Sequence, residues 1–299
     1  MRSEQGNEQE AAALMQAAVD AMVARNLPSA RALIRRAVAG GNLDAALIEV
    51  AMTANGSGGP ADWPGAVALL RAAAASDPVA QRQLALVEAM QLDPDGMPRT
   101  LPQPEQLSDA PDIVRFPRLL SPAECAHIAG AVQDILEPSH VVDPKSGKLR
   151  EHPIRTSDGA LVGPTREDLV IRAINLRIAA ISGTGVDQGE ALSVLRYRPS
   201  QQFRMHHDAI GETKNQRIKT VLIYLNEGFV GGETFFPAPK LTIMPAAGDA
   251  IVFVNADASG RQDATANHAG LPVSRGVKWL ATRWIRARPF DVWAGPEVT

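Results

Sequence analysis

In the run FRMHHDAI, His206 and Asp208 stand two residues apart, so on an extended backbone both side chains project to one side while His207 points away. One imidazole and one carboxylate can then reach a single ion. A third ligand has to come from elsewhere in the chain, and His268, in NHAGLPV ahead of the last apolar run, is available. Two histidines and one carboxylate on one face of a metal leave adjacent coordination positions open, the arrangement used in non-haem ferrous oxidation chemistry. A histidine, an acid two residues on and a distant histidine form a loose pattern in a chain with six histidines. His127, His140 and His152, in the middle of the chain, read instead as exposed or capping residues.

Lys278 sharpens the pattern. It lies shortly after His268 in the largely apolar run GVKWLATRW. A lone lysine on a core-facing strand must find an anion, whereas one on the solvent face needs none, and alternation permits either. A 2-oxo dicarboxylate would account for both features, with its keto-acid end on the metal and its far carboxylate on the ammonium.

The elements that would carry these groups differ between the two ends of the chain. From residue 8 to 92, Ala and Leu dominate at helical spacing, punctuated by Pro28, Gly40-Gly41, the stretch from Asn55 to Pro60, and Asp77-Pro78. The segment ARALIRRAVAGGNLDAA echoes GAVALLRAAAASDPVAQ, which points to helix-pair repeats. Residues 93–110 are rich in Pro, Gly and Asp and read as a linker. The sequence from 111 to 292 reads as a second domain. It holds a short helix after Ser121-Pro122, polar sequence from Glu137 to Gly163 and a helix near Glu167 to Ile181. The short runs ALSVLRY, TVLIYL, ETFF, KLTIM, DAIVFV and VKWLATRWI follow, separated by turn residues. Many short strands at this spacing predict an antiparallel sandwich or jelly roll, hence an α+β chain preceded by an all-α region. Gly231-Gly232 and Gly248 suit its tight turns.

Composition limits the function classes. A net charge of −3, from 30 Lys and Arg against 33 Asp and Glu, provides no basic field for a phosphate backbone, so no nucleic-acid partner is expected. The single cysteine, Cys125, excludes an intrachain disulfide and any multi-cysteine metal site. The polar start MRSEQGNEQE lacks an apolar signal core, and no apolar run approaches the ~20 residues of a membrane helix. A cytoplasmic protein with no membrane partner is the expectation.

The motifs LLSPAEC, IRTSDG, LRYRPSQQFRMHHD, NQRIKTVLIYLN, GGETFFP, GDAIVF, HAGLPVSRGVKW and TRWIR occur in an order that resembles the prolyl 4-hydroxylase branch of the Fe(II)- and 2-oxoglutarate-dependent dioxygenases. The first third of the chain resembles tetratricopeptide-type repeats. The dioxygenase resemblance implies a double-stranded β-helix with flanking helices, and Fe(2+), 2-oxoglutarate and O2 as cofactors, with L-ascorbate as a further candidate. It implies iron ligation by His206, Asp208 and His268, with Lys278 on the distal carboxylate. It places Tyr197, Tyr224 and Thr234 near the cosubstrate, and Arg217, Trp284 and Arg286 toward a peptide substrate. An acidic residue at position 208 argues for hydroxylation, since related halogenases carry a small residue there. The family's Y-x-x-G-Q-x-Y reads YRPSQQF here, so Ser200 and Phe203 depart from it. The expected substrate is a peptide or protein, with proline first, and recruitment would fall to the helical region. A hydroxylase of a free amino acid or small metabolite is the alternative within enzymes, and a non-catalytic interaction protein the alternative outside them. The intact set of four residues speaks against the latter.

Overall fold

The computed structural model describes residues 2–142, 149–151, 154–211, 213–257 and 259–294. The backbone forms two compact units, residues 1–100 with 163–177, and residues 101–162 with 178–299.

The first unit is helical: α1 (Arg2–Val23), α2 (Leu27–Ala39), α3 (Leu43–Asn55), α4 (Trp63–Ala74) and α5 (Pro78–Ala89). Asn26, Asn42, Asp62 and Asp77 each cap the next helix by accepting a backbone N–H from its first turn, and three of these helices carry proline in that turn. Each helix packs on the next, as helix-pair repeats do. Ala18, Ile34, Ala37, Ala45 and Met52 form the seam between α1, α2 and α3. Residues 163–177 join this unit through Asn55, whose amide donates to Pro164 O at 2.8 Å, and Gln83, which donates to Asp168 at 3.2 Å. No local pattern announces a pairing over that separation.

The second unit opens with β1 (Glu105–Asp109) and β2 (Asp112–Phe116), so the run read as a linker ends in an edge strand. Next come α6 (Pro122–Gly130), β3 (Glu137–Pro138), β4 (His140–Val142), β5 (Leu149–Glu151), β6 (Asp158–Val162) and α7 (Leu169–Ser182), which begins in the helical unit and whose end, from residue 178, belongs to this one. A capping box of Ser121 with Glu124 starts α6. The remaining strands are β7 (Leu192–Tyr197), β8 (Phe203–His206), β9 (Arg217–Tyr224), β10 (Val230–Gly231), β11 (Thr234–Phe236) and β12 (Leu241–Ile243). They end with β13 (Ala250–Val254), β14 (His268–Gly270), β15 (Val273–Arg275) and β16 (Lys278–Arg286). An eight-stranded antiparallel sheet, ordered β1-β2-β13-β9-β16-β7-β6-β3, accompanies a four-stranded sheet ordered β12-β11-β14-β8. Leu195, Tyr224, Phe236, Ile243, Ile251, Phe253 and Leu280 from both sheets fill one core. This is the jelly roll that the strand pattern predicts.

Two turns show how the backbone constrains sequence. Gly248 has φ +84°, and a Cβ there would lie 2.1 Å from the Leu120 carbonyl oxygen, so the position admits only glycine. Ser200, just before β8, holds φ +72° without that freedom. A non-glycine residue in this region costs about 1–2 kcal/mol, against roughly 0.5–1 kcal/mol of glycine flexibility. Ser200→Gly is therefore expected to stabilise the second unit by up to about 1 kcal/mol, a small upward shift in thermal midpoint. A lowered midpoint would show that the Ser200 side chain makes a compensating contact.

Candidate metal centre and substrate cleft

Strand pairing brings the metal-ligating side chains together. In the antiparallel β8–β14 ladder, His206 stands directly opposite His268, with ring centroids 4.2 Å apart. Asp208 follows β8 as the chain turns inward, 5% exposed. Its Oδ1 lies 3.5 Å from His206 Nε2 and its Oδ2 lies 3.7 Å from His268 Nε2. Among the described residues this is the one group of three or more such side chains whose ligand atoms gather closely, all within 4.8 Å of one another. His127 is not in it, and His152 lies outside the described residues.

The hydrogen bonds around the imidazoles set their tautomers. His206 Nδ1 is 2.8 Å from the Arg204 carbonyl and His268 Nδ1 is 3.0 Å from the Ala266 carbonyl. A carbonyl only accepts, so both Nδ1 atoms carry the proton and both Nε2 lone pairs face the Asp208 carboxylate. Burial pushes the His268 imidazole down to about 4, so it is neutral at physiological pH. Burial opposes ionisation of Asp208, but in acid, where His268 is protonated, its charge together with His206 and the hydrogen bond from the Thr220 hydroxyl holds the carboxyl well below the ordinary range. A neutral His268 beside a charged carboxylate suits a cation without displacing protons.

The other end of the cavity is cationic. Lys278 opens β16, and it is 2% exposed, which removes the solvent-face alternative. Its ammonium donates to the Gly232 carbonyl at 2.6 Å and sits 4.9 Å from the Tyr224 ring centre and 5.5 Å from that of Tyr197. It forms no ion pair among the described residues. A Cβ on Gly232, whose φ is +74°, would meet the lysine's own Cδ at 3.2 Å, so glycine leaves room for this approach. Strand alternation then carries one face of β16 through Lys278, Leu280, Thr282 and Trp284, all of which line the cavity running to His206, Asp208 and His268. Tyr197 and Thr234 line it too. Tyr224 stands behind, its hydroxyl bonded to that of Thr234. Thr282 Oγ1 is buried in this wall without a hydrogen-bond partner among the described residues.

A buried ammonium without a counter-ion, an orphaned hydroxyl and a cluster of anionic and imidazole donors line one cavity. A small dicarboxylate whose other end reaches a cation at the donors would satisfy all three.

A wider cleft opens beyond the donors, lined among others by Arg155, Glu190, Phe203, Arg217 and Trp284. Arg217 makes a bidentate pair with Glu190, at 2.6 and 2.8 Å, and its guanidinium lies 4.0 Å from the Trp284 ring centre. Arg286 is placed differently from the other two residues assigned toward substrate. It is 1% exposed, outside the cleft lining, and donates to Glu190 at 2.6 Å and to the Asn215 carbonyl at 2.6 Å. Glu190 and Thr282 escape sequence reasoning because an isolated acid and a strand threonine have no distinguishing spacing. Phe203 stacks on the His206 ring, with centroids 3.5 Å apart.

Residues 192–286 match the family model of the 2OG-Fe(II) oxygenase superfamily. Over 205 residues the chain is 36% identical to prolyl 4-hydroxylase 1 of Arabidopsis thaliana, which covers 62% of this chain and 72% of that protein. It is 32% identical over 212 residues to prolyl 4-hydroxylase 5 of the same plant, covering 63% and 72%. The structure of the viral collagen prolyl hydroxylase of Paramecium Bursaria Chlorella virus-1, in its 2OG complex, aligns at 31% identity and a TM-score of 0.47 over 59% of this chain and 96% of that one. The chain belongs to the prolyl 4-hydroxylase family of Fe(II)- and 2-oxoglutarate-dependent dioxygenases. It is thus an oxidoreductase that uses Fe(2+), 2-oxoglutarate and O2.

Burial pushes the Lys278 ammonium down to about 7, with Glu233 pulling weakly the other way. The unfolded chain keeps the ordinary lysine value, so above pH 7 the unfolded state holds a proton that the folded state has released, and stability rises with pH toward 10. Denaturant titrations of the ligand-free protein from pH 7 to 9 are expected to show this rise, and Lys278→Met to flatten it. Identical pH profiles for the two proteins would place the titration elsewhere.

Proposed function

We propose that the protein hydroxylates peptidyl proline, with His206, Asp208 and His268 holding Fe(2+) and Lys278 binding the distal carboxylate of 2-oxoglutarate. The observation that carries this reading is the buried, unpaired Lys278 at one end of a cavity whose other end is the His–Asp–His cluster. Bound together, the ion and cosubstrate supply an oxidation in which 2-oxoglutarate, O2 and a C–H bond become succinate, CO2 and an alcohol. The protein's own share is ligation, orientation and exclusion of water. Tyr224 fixes the Thr234 hydroxyl, Thr234 and Tyr197 wall the cosubstrate, and Phe253 and Phe236 pack against His268 and keep that side dry.

Peptide rather than free amino acid is supported by the open cleft beyond the donors, walled by Arg217 stacked on Trp284. Arg286 enters as the support of Glu190 and, through it, of Arg217. The helical unit is proposed to recruit the substrate protein, with repeat surfaces as precedent. L-Ascorbate as auxiliary reductant and a cytoplasmic location complete the proposal; a lone, buried thiol, Cys125, suits a reducing compartment.

Anaerobic addition of Fe(II) and 2-oxoglutarate is expected to produce a weak visible charge-transfer band, absent in His206→Ala. Proline-containing peptides should then stimulate succinate release. Stimulation by free amino acids alone would assign the small-metabolite reading instead. Lys278→Ala should raise the 2-oxoglutarate requirement by about 10–100-fold, the value of a lost charge-assisted hydrogen bond, with much less effect on iron affinity. Equal effects on both would contradict the role given to Lys278.

A further inference from the structure

Thr220, whose hydroxyl helps to keep Asp208 ionised, and Asn255 are both wholly buried. Thr220 lies on β9 and Asn255 immediately follows β13, in adjacent strands. Thr220 Oγ1 is 2.7 Å from Asp208 Oδ2, and Asn255 Nδ2 is 2.8 Å from Thr220 Oγ1. An ionised carboxylate can only accept, so the single hydroxyl proton of Thr220 goes to Asp208. The Thr220 oxygen must therefore accept from Asn255, which fixes the amide with its NH2 toward Thr220. This leaves Asn255 Oδ1 buried without a partner among the described residues. An open buried acceptor is a cost to the fold, and native structures keep few of them.

The main chain of the same residue leads to the second histidine. Asp263 N donates to the Asn255 carbonyl at 2.9 Å. The Asp263 carboxylate caps the turn Ala264–Ala266, accepting from the Thr265 N–H at 2.9 Å and the Thr265 hydroxyl at 2.5 Å. That turn ends in the Ala266 carbonyl, which accepts from His268 Nδ1. From the β8 side, His207 Nε2 donates to the Asp263 carbonyl at 2.6 Å. His207 Nδ1 accepts from Ala209 N, which fixes this tautomer.

We infer that Asn255 is a positioning residue that ties two metal ligands to one point. Its side chain, through Thr220, aims Asp208, and its main chain, through the Asp263 turn, aims His268. Thr220 holds Oδ2 and leaves Oδ1 as the unbonded oxygen of the carboxylate. The turn from Asp263 to Asn267 is then a brace for the third ligand. The inference rests on His206, Asp208 and His268 being the ferrous site.

The test is a Co(II) titration of the protein without 2-oxoglutarate, followed by the visible ligand-field band, alongside thermal melts of the metal-free protein. Asn255→Leu removes the amide donor and the open acceptor at similar volume and keeps the backbone bond. It is expected to weaken Co(II) binding about 10-fold or more, the usual effect of losing an outer partner of a ligand, while the metal-free midpoint stays level or rises. Thr220→Val should lose affinity likewise and Thr220→Ser should restore it. An Asn255→Leu protein that binds Co(II) as tightly as wild type overturns the inference, as does one that loses stability with affinity unchanged. Should Asn255→Leu fail to fold, equal affinities for the Thr220→Val and Thr220→Ser proteins overturn it. His206→Ala serves as the control: wild-type Co(II) affinity there would sink the metal-site reading itself.

Discussion

Two imidazoles and a carboxylate whose ligand atoms all lie within 4.8 Å of one another, in a nearly dry pocket, are stable only in a particular arrangement of protons. The β8–β14 register sets His206 against His268, and the turn after His206 swings Asp208 between their Nε2 atoms. Backbone carbonyls take both Nδ1 protons, and the Thr220 hydroxyl takes one carboxylate oxygen. What remains is a set of lone pairs pointing at one another, which is favourable when a cation lies among them. Much else in the second unit follows from keeping that set convergent and shielded.

The large sheet contributes by carrying the opposite charge at a fixed remove. β16 pairs with β7 and β9 along its length, so the alternation that sends Leu280 into the core sends Lys278, Thr282 and Trp284 to the same face. A lysine held among Tyr197, Tyr224 and the Gly232 carbonyl has lost its water and has no carboxylate partner among the described residues. Burial of that kind depresses the Lys278 ammonium, and an anionic ligand would reverse the depression. At the cleft, the order Arg286, Glu190, Arg217, Trp284 forms a graded wall from the fully buried to the accessible.

The jelly-roll strands that bury apolar side chains on one face were legible, because runs such as TVLIYL and DAIVFV alternate or cluster between turn residues. His206 and Asp208 were legible for the same reason, their two-residue spacing being meaningful once the segment is extended. β14 was not legible as a strand. Its three residues, His268 to Gly270, are short and small, and pairing with β8 and β11 rather than local propensity makes them extended. The union of residues 163–177 with the helical unit, and the burial of Arg286 behind Glu190, depend on partners far along the chain. The Thr220–Asn255 relay was hidden likewise, since a threonine and an asparagine near strand ends suit any sheet until the third dimension places them at Asp208.

The most direct measurement is diffraction at the iron absorption edge from crystals grown anaerobically with Fe(II) and 2-oxoglutarate. One anomalous peak is expected at bonding distance from His206 Nε2, His268 Nε2 and an Asp208 oxygen, with cosubstrate density ending at the Lys278 ammonium. Iron bound elsewhere, or a cosubstrate carboxylate that leaves Lys278 untouched, would contradict it.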